Sequence, residues 1–180
     1  TYQRAVQEMS AKALAVVCVG TCASFGGIPA SGSNPTGVVG VSQLTGRATI
    51  NISGCPANPD WVVWAIVQLL TGTPVDLDSD GRPTALYTET IHGTSKTLIH
   101  DKCPRNPYVN ALAPAEAADF SDCNGKCLIQ LGCRGPNAKA RCNGCWNILA
   151  PPSNPDPTDR WQNNWCIGVN APCHGCVEKT

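Results

Sequence analysis

The run His100-Asp101-Lys102-Cys103-Pro104, followed by Cys127 and by Cys133-Arg134-Gly135-Pro136, constrains this chain more than any other feature. One imidazole and three thiols at these intervals can form a four-point cage for a metal centre. Thiolates are soft ligands that select zinc or iron–sulfur, and a single imidazole suits either. Loops closed on such a centre need less hydrophobic core of their own. Two further cysteine turns, Gly20-Thr21-Cys22 and Gly54-Cys55-Pro56, precede this run, and a cysteine-rich tail from Cys142 to Cys176 follows it. Several clusters held in a row imply a chain that moves electrons.

Twelve cysteines in 180 residues also fit a secreted disulfide scaffold. The length argues against it, since a chain of this size can bury a core in one domain or two small ones. The cysteines also sit in Gly- and Pro-flanked turns at metal-ligand spacing, so metal binding is the better reading. Formal net charge is zero, which gives no footing for a nucleic-acid backbone or an anionic membrane. The apolar runs near Ala13–Val19 and Trp61–Leu70 are too short to span a bilayer. No signal peptide is visible at Thr1, and the chain opens inside a predicted helix, Tyr2 to Leu14, so residues are expected upstream.

Ala13–Val19 and Ala48–Ile52 read as strands, ending at Gly20-Thr21-Cys22 and Ser53-Gly54-Cys55-Pro56. Each delivers a cysteine just past its carboxyl end, the edge where open parallel sheets collect ligands. Asn58-Pro59-Asp60 starts a helix with an apolar stripe through Trp61, Trp64, Ala65, Leu69 and Leu70, stopped near Gly72 and Pro74. Residues 1–82 therefore read as part of a doubly wound α/β domain. Residues 83–180 lose periodicity and gain Gly, Pro, Asn and Cys; Pro151 to Pro157 reads as a surface loop.

The residues alone leave rival ligand sets open. A structural zinc could take His100, Cys103, Cys127 and Cys133. His92 competes as the histidine, but it lacks the three-residue step to Cys103 and reads as a surface residue. In the tail, Cys142-x-x-Cys145 with Cys173-x-x-Cys176 suits a zinc knuckle and leaves Cys166 spare. A cubane on Cys142, Cys166, Cys173 and Cys176 leaves Cys145 spare instead.

Six linked motifs resemble, in order, those of small subunits of nickel–iron hydrogenases. They are Gly20-Thr-Cys22-Ala-Ser-Phe-Gly-Gly27, Asn34-Pro-Thr-Gly37, Gly54-Cys55-Pro-Ala-Asn-Pro59, His100-Asp-Lys-Cys103-Pro-Arg105, Cys127-x5-Cys133-Arg-Gly-Pro136 and Cys173-x-x-Cys176. The resemblance covers nearly all of the chain from Val16 to Cys176. It implies a partial flavodoxin-like parallel sheet followed by an irregular, cysteine-rich iron–sulfur cluster domain. It further implies that Cys22 and Cys55 serve a proximal cluster, that His100, Cys103, Cys127 and Cys133 hold a distal four-iron cluster, and that Cys142, Cys173 and Cys176 serve a medial one.

The resemblance has four departures. Many members have proline seven residues before the final cysteine pair and a three-iron medial cluster; Cys166 stands there in this chain. It implies a four-iron medial cluster, as in nickel–iron–selenium members, with a three-iron cluster the alternative if Cys166 is not a ligand. Second, the proximal cluster lacks a Cys-x-x-Cys element, expected from an amino-terminal segment. Cys18 falls within a strand and reads as a buried apolar residue. Third, insertions precede His100 and separate Cys142 from Cys166. Fourth, oxygen-tolerant members carry an extra cysteine where this chain has Gly27.

The resemblance implies an electron-transfer subunit whose hydrogen-activating nickel–iron site lies in a separate large subunit. Electrons would leave near His100 to an acceptor such as a cytochrome or ferredoxin, in the periplasm or at a membrane. No role is assigned to Cys123 or Cys145; Trp161 and Trp165 suit shielding or packing equally. Two rivals remain: a complex I-related iron–sulfur subunit, which shares the first two cysteine turns but lacks the later motifs, and a non-redox, zinc-stabilised binding module.

Overall fold

Thr1 caps the first helix, α1 (Tyr2–Lys12), its hydroxyl accepting from the Arg4 N–H at 3.3 Å. The structure, a computed structural model, describes residues 1–87, 90–91, 95–96, 99–100, 103, 105–107, 115–140, 166 and 170–179, with backbone alone at 90–91 and 95–96. His92, Cys142, Cys145, the loop 151–157, Trp161 and Trp165 lie outside the described residues. Two units form, Thr1–Tyr87 with Cys176–Thr180, and Thr88–Gly175.

In the first unit, α1 stops two residues before the expected Leu14, because Ala13 turns to extended backbone. The Arg47 guanidinium reaches the freed carbonyls, donating to Ser10 and, at 2.9 Å, to Ala13. A cation at a helix carboxyl end satisfies orphan acceptors and opposes the dipole. The apolar runs then form β1 (Val17–Val19) and β2 (Ile50–Ile52), which pair in parallel with Cys18 opposite Asn51. Both are shorter than their apolar runs, since each is ladder-bonded only where the other lies alongside. Helices α2 (Thr21–Phe25) and α3 (Val41–Thr45) fill the crossover. This is the expected α/β class, with a two-stranded parallel sheet.

The Asn34-Pro-Thr-Gly37 motif explains itself locally. The Asn34 amide accepts from Val38 N–H at 3.0 Å and donates to Val38 C=O at 2.9 Å, pinning the turn in which Gly37 adopts φ +65°. Such side-chain-to-backbone closure is how Asn stabilises turns.

Helix α4 (Pro59–Thr71) begins where predicted: the Asn58 carboxamide accepts from Asp60 N–H at 2.9 Å, and Gly72 closes it in the left-handed region. Its buried face differs from expectation. Trp61 and Ala65 are buried, Trp64 is half-buried, and Leu69 and Leu70 are exposed. Val63, Ile66, Val67 and Leu70, spaced as one helical face, all lie open to solvent, Leu70 at 82%. Trp61 meets Tyr87 of α5 (Thr84–Tyr87) edge-on at 5.2 Å, a geometry worth about 0.5–1.5 kcal/mol beyond area burial.

The second unit has a backbone hairpin of β3 (Thr90–Ile91) and β4 (Ser95–Lys96), with Thr90 opposite Lys96. Its described remainder is built from three short 3-10 turns, Phe120–Asp122, Ile129–Leu131 and Gly135–Asn137. Ala117, Cys123 and Leu128 form a small core against which Leu131 and Cys133 pack. Among the described residues no helix is long and apolar enough to cross a membrane.

Candidate metal centre

The parallel pairing of β1 and β2 puts their following turns side by side. Gly20 N–H donates to Ile52 C=O at 2.9 Å, and Thr21 N–H to Gly54 C=O at 3.0 Å. Cys22 leads out of the first turn into α2 and Cys55 follows Gly54 in the second; both are exposed. Cys18, by contrast, is 2% exposed inside β1, as expected of a structural thiol. Burial raises its pKa above the ordinary thiol value, against a hydrogen bond with Thr49 that lowers it. Gly27 lies against the Cys22 turn so closely that a Cβ there would stand 2.7 Å from Cys22 Sγ.

The carboxyl-terminal segment ties into the same turns. Thr21 Oγ1 donates to the Cys176 carbonyl, and Ser53 Oγ to the Val177 carbonyl at 2.7 Å. Arg82 is fully buried, pairing with Asp78 at 2.9 Å and Glu178 at 3.0 Å, with Asp80 at 3.6 Å. Burial disfavours its charge, but Glu178 and Asp78 outweigh that and leave its pKa raised. Tyr87 lies beneath the guanidinium at 5.4 Å and donates to Ser53 C=O at 2.7 Å.

In the second unit the predicted histidine and three cysteines line one pocket: His100, Cys103, Cys127 and Cys133, with Arg105, Asn106, Leu128, Ile129, Gly135, Pro136 and Cys173. The spacing explains the convergence. Cys103 N–H donates to His100 C=O at 3.2 Å, so the three-residue step is one tight turn. Asn106 Nδ2 braces it through His100 C=O at 2.9 Å. The six-residue step from Cys127 to Cys133 wraps the 3-10 turn Ile129–Leu131, and Cys133 N–H returns to Leu128 C=O at 3.2 Å.

Gly132 ends that turn in the left-handed conformation, φ +87°, with nothing within 4 Å of a built Cβ. An L side chain at that φ would be strained by the backbone alone, so glycine serves the chain reversal. Gly135 lies against the donors, a built Cβ standing 3.5 Å from Cys133 Sγ and 3.9 Å from His100 Nδ1.

Backbone amides point at the sulfurs. Cys133 Sγ accepts from Cys173 N–H at 3.3 Å, Cys103 from Arg105, and Cys127 from Ile129. Burial, and secondarily the neighbouring thiols, raise the pKa of Cys103 and Cys127, while these amides oppose the shift. Arg105, 2% exposed, has its pKa lowered by burial and pulled back by Cys103, Cys123, Cys127 and Cys133. Space between the side chains is small, about 20 Å³, so the fit to an iron–sulfur cluster rests on the donor set. Three thiols, one imidazole, amides aimed at sulfur and a buried cation suit a group whose ligands must lose their protons. Among the described residues no three His, Cys, Asp or Glu side chains stand at single-ion spacing.

Cys166 is half-buried and its carbonyl accepts from Ala171 N–H at 2.8 Å, while Cys173 lines the pocket that also holds His100. With Cys142 outside the described residues, the medial ligand set is not assembled by geometry. Cys123 sits in the small core, its Sγ donating to Phe120 C=O at 3.2 Å and accepting from Asn170 Nδ2 at 3.4 Å. None of the ten described cysteines is in a disulfide. A larger hollow of about 580 Å³ in the first unit is lined by Ser24, Asn51, Asp78, Asp80 and Lys179 among others, with no cysteine or histidine. Its acidic members already serve Arg82, and it is not the metal site.

Sequence reasoning passed over Thr21, Ser53, Arg82 and Arg105. Thr21 and Arg105 lie inside the quoted motifs, which was the available signal; Ser53 and Arg82 act through contacts more than 90 residues away in sequence.

Residues 1–69 match the family described as NADH ubiquinone oxidoreductase, 20 Kd subunit, and residues 96–180 match the C-terminal family of the NiFe/NiFeSe hydrogenase small subunit. The periplasmic [NiFe] hydrogenase small subunit of Solidesulfovibrio fructosivorans is 38% identical over 96% of this chain and 48% of its own length. The periplasmic [NiFeSe] hydrogenase small subunit of Desulfomicrobium baculatum is 34% identical over 99% of this chain and 52% of its own. In structure, the recombinant [NiFeSe] hydrogenase from Desulfovibrio vulgaris Hildenborough superposes with a TM-score of 0.73 at 35% identity, covering 99% of this chain and 60% of that one. The chain thus spans about half the length of the curated relatives it matches.

Proposed function

This chain belongs to the family of nickel–iron hydrogenase small subunits, and we propose that it relays electrons between a hydrogen-activating large subunit and an external acceptor through iron–sulfur clusters. The observation that carries the reading is the convergence of His100, Cys103, Cys127 and Cys133 on one pocket, with backbone amides directed at the three sulfurs. When bound, a four-iron cluster there would accept and release single electrons. Leu128, Ile129 and Pro136 would keep water from the sulfurs, and amides donating to sulfur tune cluster potential. His100, half-buried and neutral where a thiolate would be anionic, suits an exit to the acceptor, such as a cytochrome or ferredoxin.

Cys22 and Cys55 would hold one side of the proximal cluster, their exposure leaving room for the remaining ligands from a further segment. The open apolar face of α4 and the two-stranded sheet support a covering α/β segment, since parallel sheets are ordinarily buried on both faces. Cys142, Cys166, Cys173 and Cys176 would hold a four-iron medial cluster, as in nickel–iron–selenium members, or a three-iron cluster without Cys166. The periplasm is the proposed compartment, by analogy with the relatives so named.

The test is iron, acid-labile sulfide and zinc per chain in anaerobically purified complex. About twelve irons fit three four-iron clusters, about eleven a three-iron medial site, and about eight an unfilled proximal site. Zinc without sulfide refutes the relay and favours the zinc-stabilised binding module.

A further inference from the structure

Thr21 precedes Cys22, is 5% exposed, and carries a hydroxyl that bridges backbone segments distant in sequence. Its Oγ1 accepts from the Gly54 N–H at 2.9 Å and donates to the Cys176 carbonyl. Gly54 precedes Cys55, and Gly54 C=O in turn accepts from Thr21 N–H at 3.0 Å. One hydroxyl therefore joins the backbones that carry Cys22, Cys55 and Cys176. The neighbouring links from Ser53 and Arg82 hold Val177 and Glu178, and neither reaches the Cys22 turn.

We propose that Thr21 is a positioning residue that fixes Cys176 relative to the Cys22 and Cys55 turns, and so couples the placement of two successive clusters. The inference rests on the reading above, in which Cys22 and Cys55 serve one cluster and Cys176 the next. A hydroxyl can donate and accept at once, which this bridge requires. Valine has nearly the same shape and can do neither, while serine can do both. Losing the bridge strips the buried Gly54 amide of its acceptor and the Cys176 carbonyl of its donor, and takes from the Cys22 turn this tie to the Cys176 segment.

The experiment compares Thr21→Val and Thr21→Ser in the complex with the large partner. The first readout is hydrogen–deuterium exchange of the segments containing Gly54 and Val177. The second is the magnetic interaction between reduced clusters, read by EPR during stepwise reduction. Thr21→Val should speed exchange at Gly54 roughly tenfold, the factor for one buried hydrogen bond, and change the splitting of the cluster signals. Thr21→Ser should restore both. Wild-type exchange and splitting in a cluster-loaded Thr21→Val overturn the proposal, as does a Thr21→Ser variant as altered as Thr21→Val. If Thr21→Val does not assemble, near-wild-type spectra in Thr21→Ser support the bridge and altered spectra refute it. A wild-type complex without iron and sulfide overturns the cluster reading itself, an outcome distinct from a loaded wild type matched by its variant.

Discussion

Gly27→Ala should damage this protein twice, and the two effects can be separated. Gly27 has φ +60° and ψ −150°, a region essentially restricted to glycine, where a side chain costs about 1–3 kcal/mol. The added Cβ would also stand 2.7 Å from Cys22 Sγ and 3.0 Å from Cys22 Cα and N. Ordinary contact begins near 3.4 Å, so the sulfur must retreat by about 0.7 Å. The Cys22 backbone has less freedom, because Gly26 N–H donates to Cys22 C=O at 2.9 Å and Thr21 is bridged to Gly54. Strain of about 2 kcal/mol predicts a melting midpoint lower by roughly 4–8 °C in a chain of this size. On the proposed reading, in which Cys22 helps to hold a cluster, the displaced sulfur predicts a second loss, of iron. Gly46→Ala is the control: φ is +69°, but nothing lies within 4 Å of its built Cβ. It should lower the midpoint without lowering iron content. Equal iron content in both variants would refute the argument from contact.

Arg82→Met should cost about 3 kcal/mol in urea unfolding, because it leaves Asp78, Glu178 and the Val177 carbonyl without their buried cation; a change below about 1 kcal/mol refutes that role. The raised pKa of Cys18 makes its protonated thiol contribute fully below the unfolded pKa of about 8.5, and that contribution falls as the unfolded thiol ionises first at higher pH. The stability difference between wild type and Cys18→Ala should therefore narrow in reductant as pH rises above about 8.5, and a constant difference would contradict it. On the proposed relay, His100→Cys replaces a neutral donor with an anionic one, so the midpoint potential of a cluster held there should fall and dye reduction slow while hydrogen–deuterium gas exchange is retained. Unchanged dye reduction would count against an exit at His100.

Punctuation was legible in the sequence because its physics is local. Asn58-Pro59-Asp60 starts α4 and Gly72 ends it through hydrogen bonds spanning at most five residues. The donor turn from His100 to Cys103 is local in the same sense, as is the wrap from Cys127 to Cys133. The buried face of α4 was only partly legible. Its apolar residues cover more than one stripe, and periodicity does not say which stripe meets a neighbour; Tyr87 selects Trp61, and Leu70 stays in solvent. Strand length was overestimated for a related reason, since an apolar run becomes ladder only opposite a partner.

The order of the histidine and cysteines, the turns that present them and the family resemblance are all readable from the residues in line. Which distant groups hold those turns in place is decided only in the folded chain. Thr21 meets Cys176 across 155 residues and Ser53 meets Val177 across 124. Arg82 is buried beside carboxylates that no local rule would gather. Gly27 differs from Gly132 not in backbone freedom, which both use, but in the sulfur that one of them touches. Local hydrogen-bond chemistry is written in neighbouring residues; contact between remote segments exists only once the chain has folded around it.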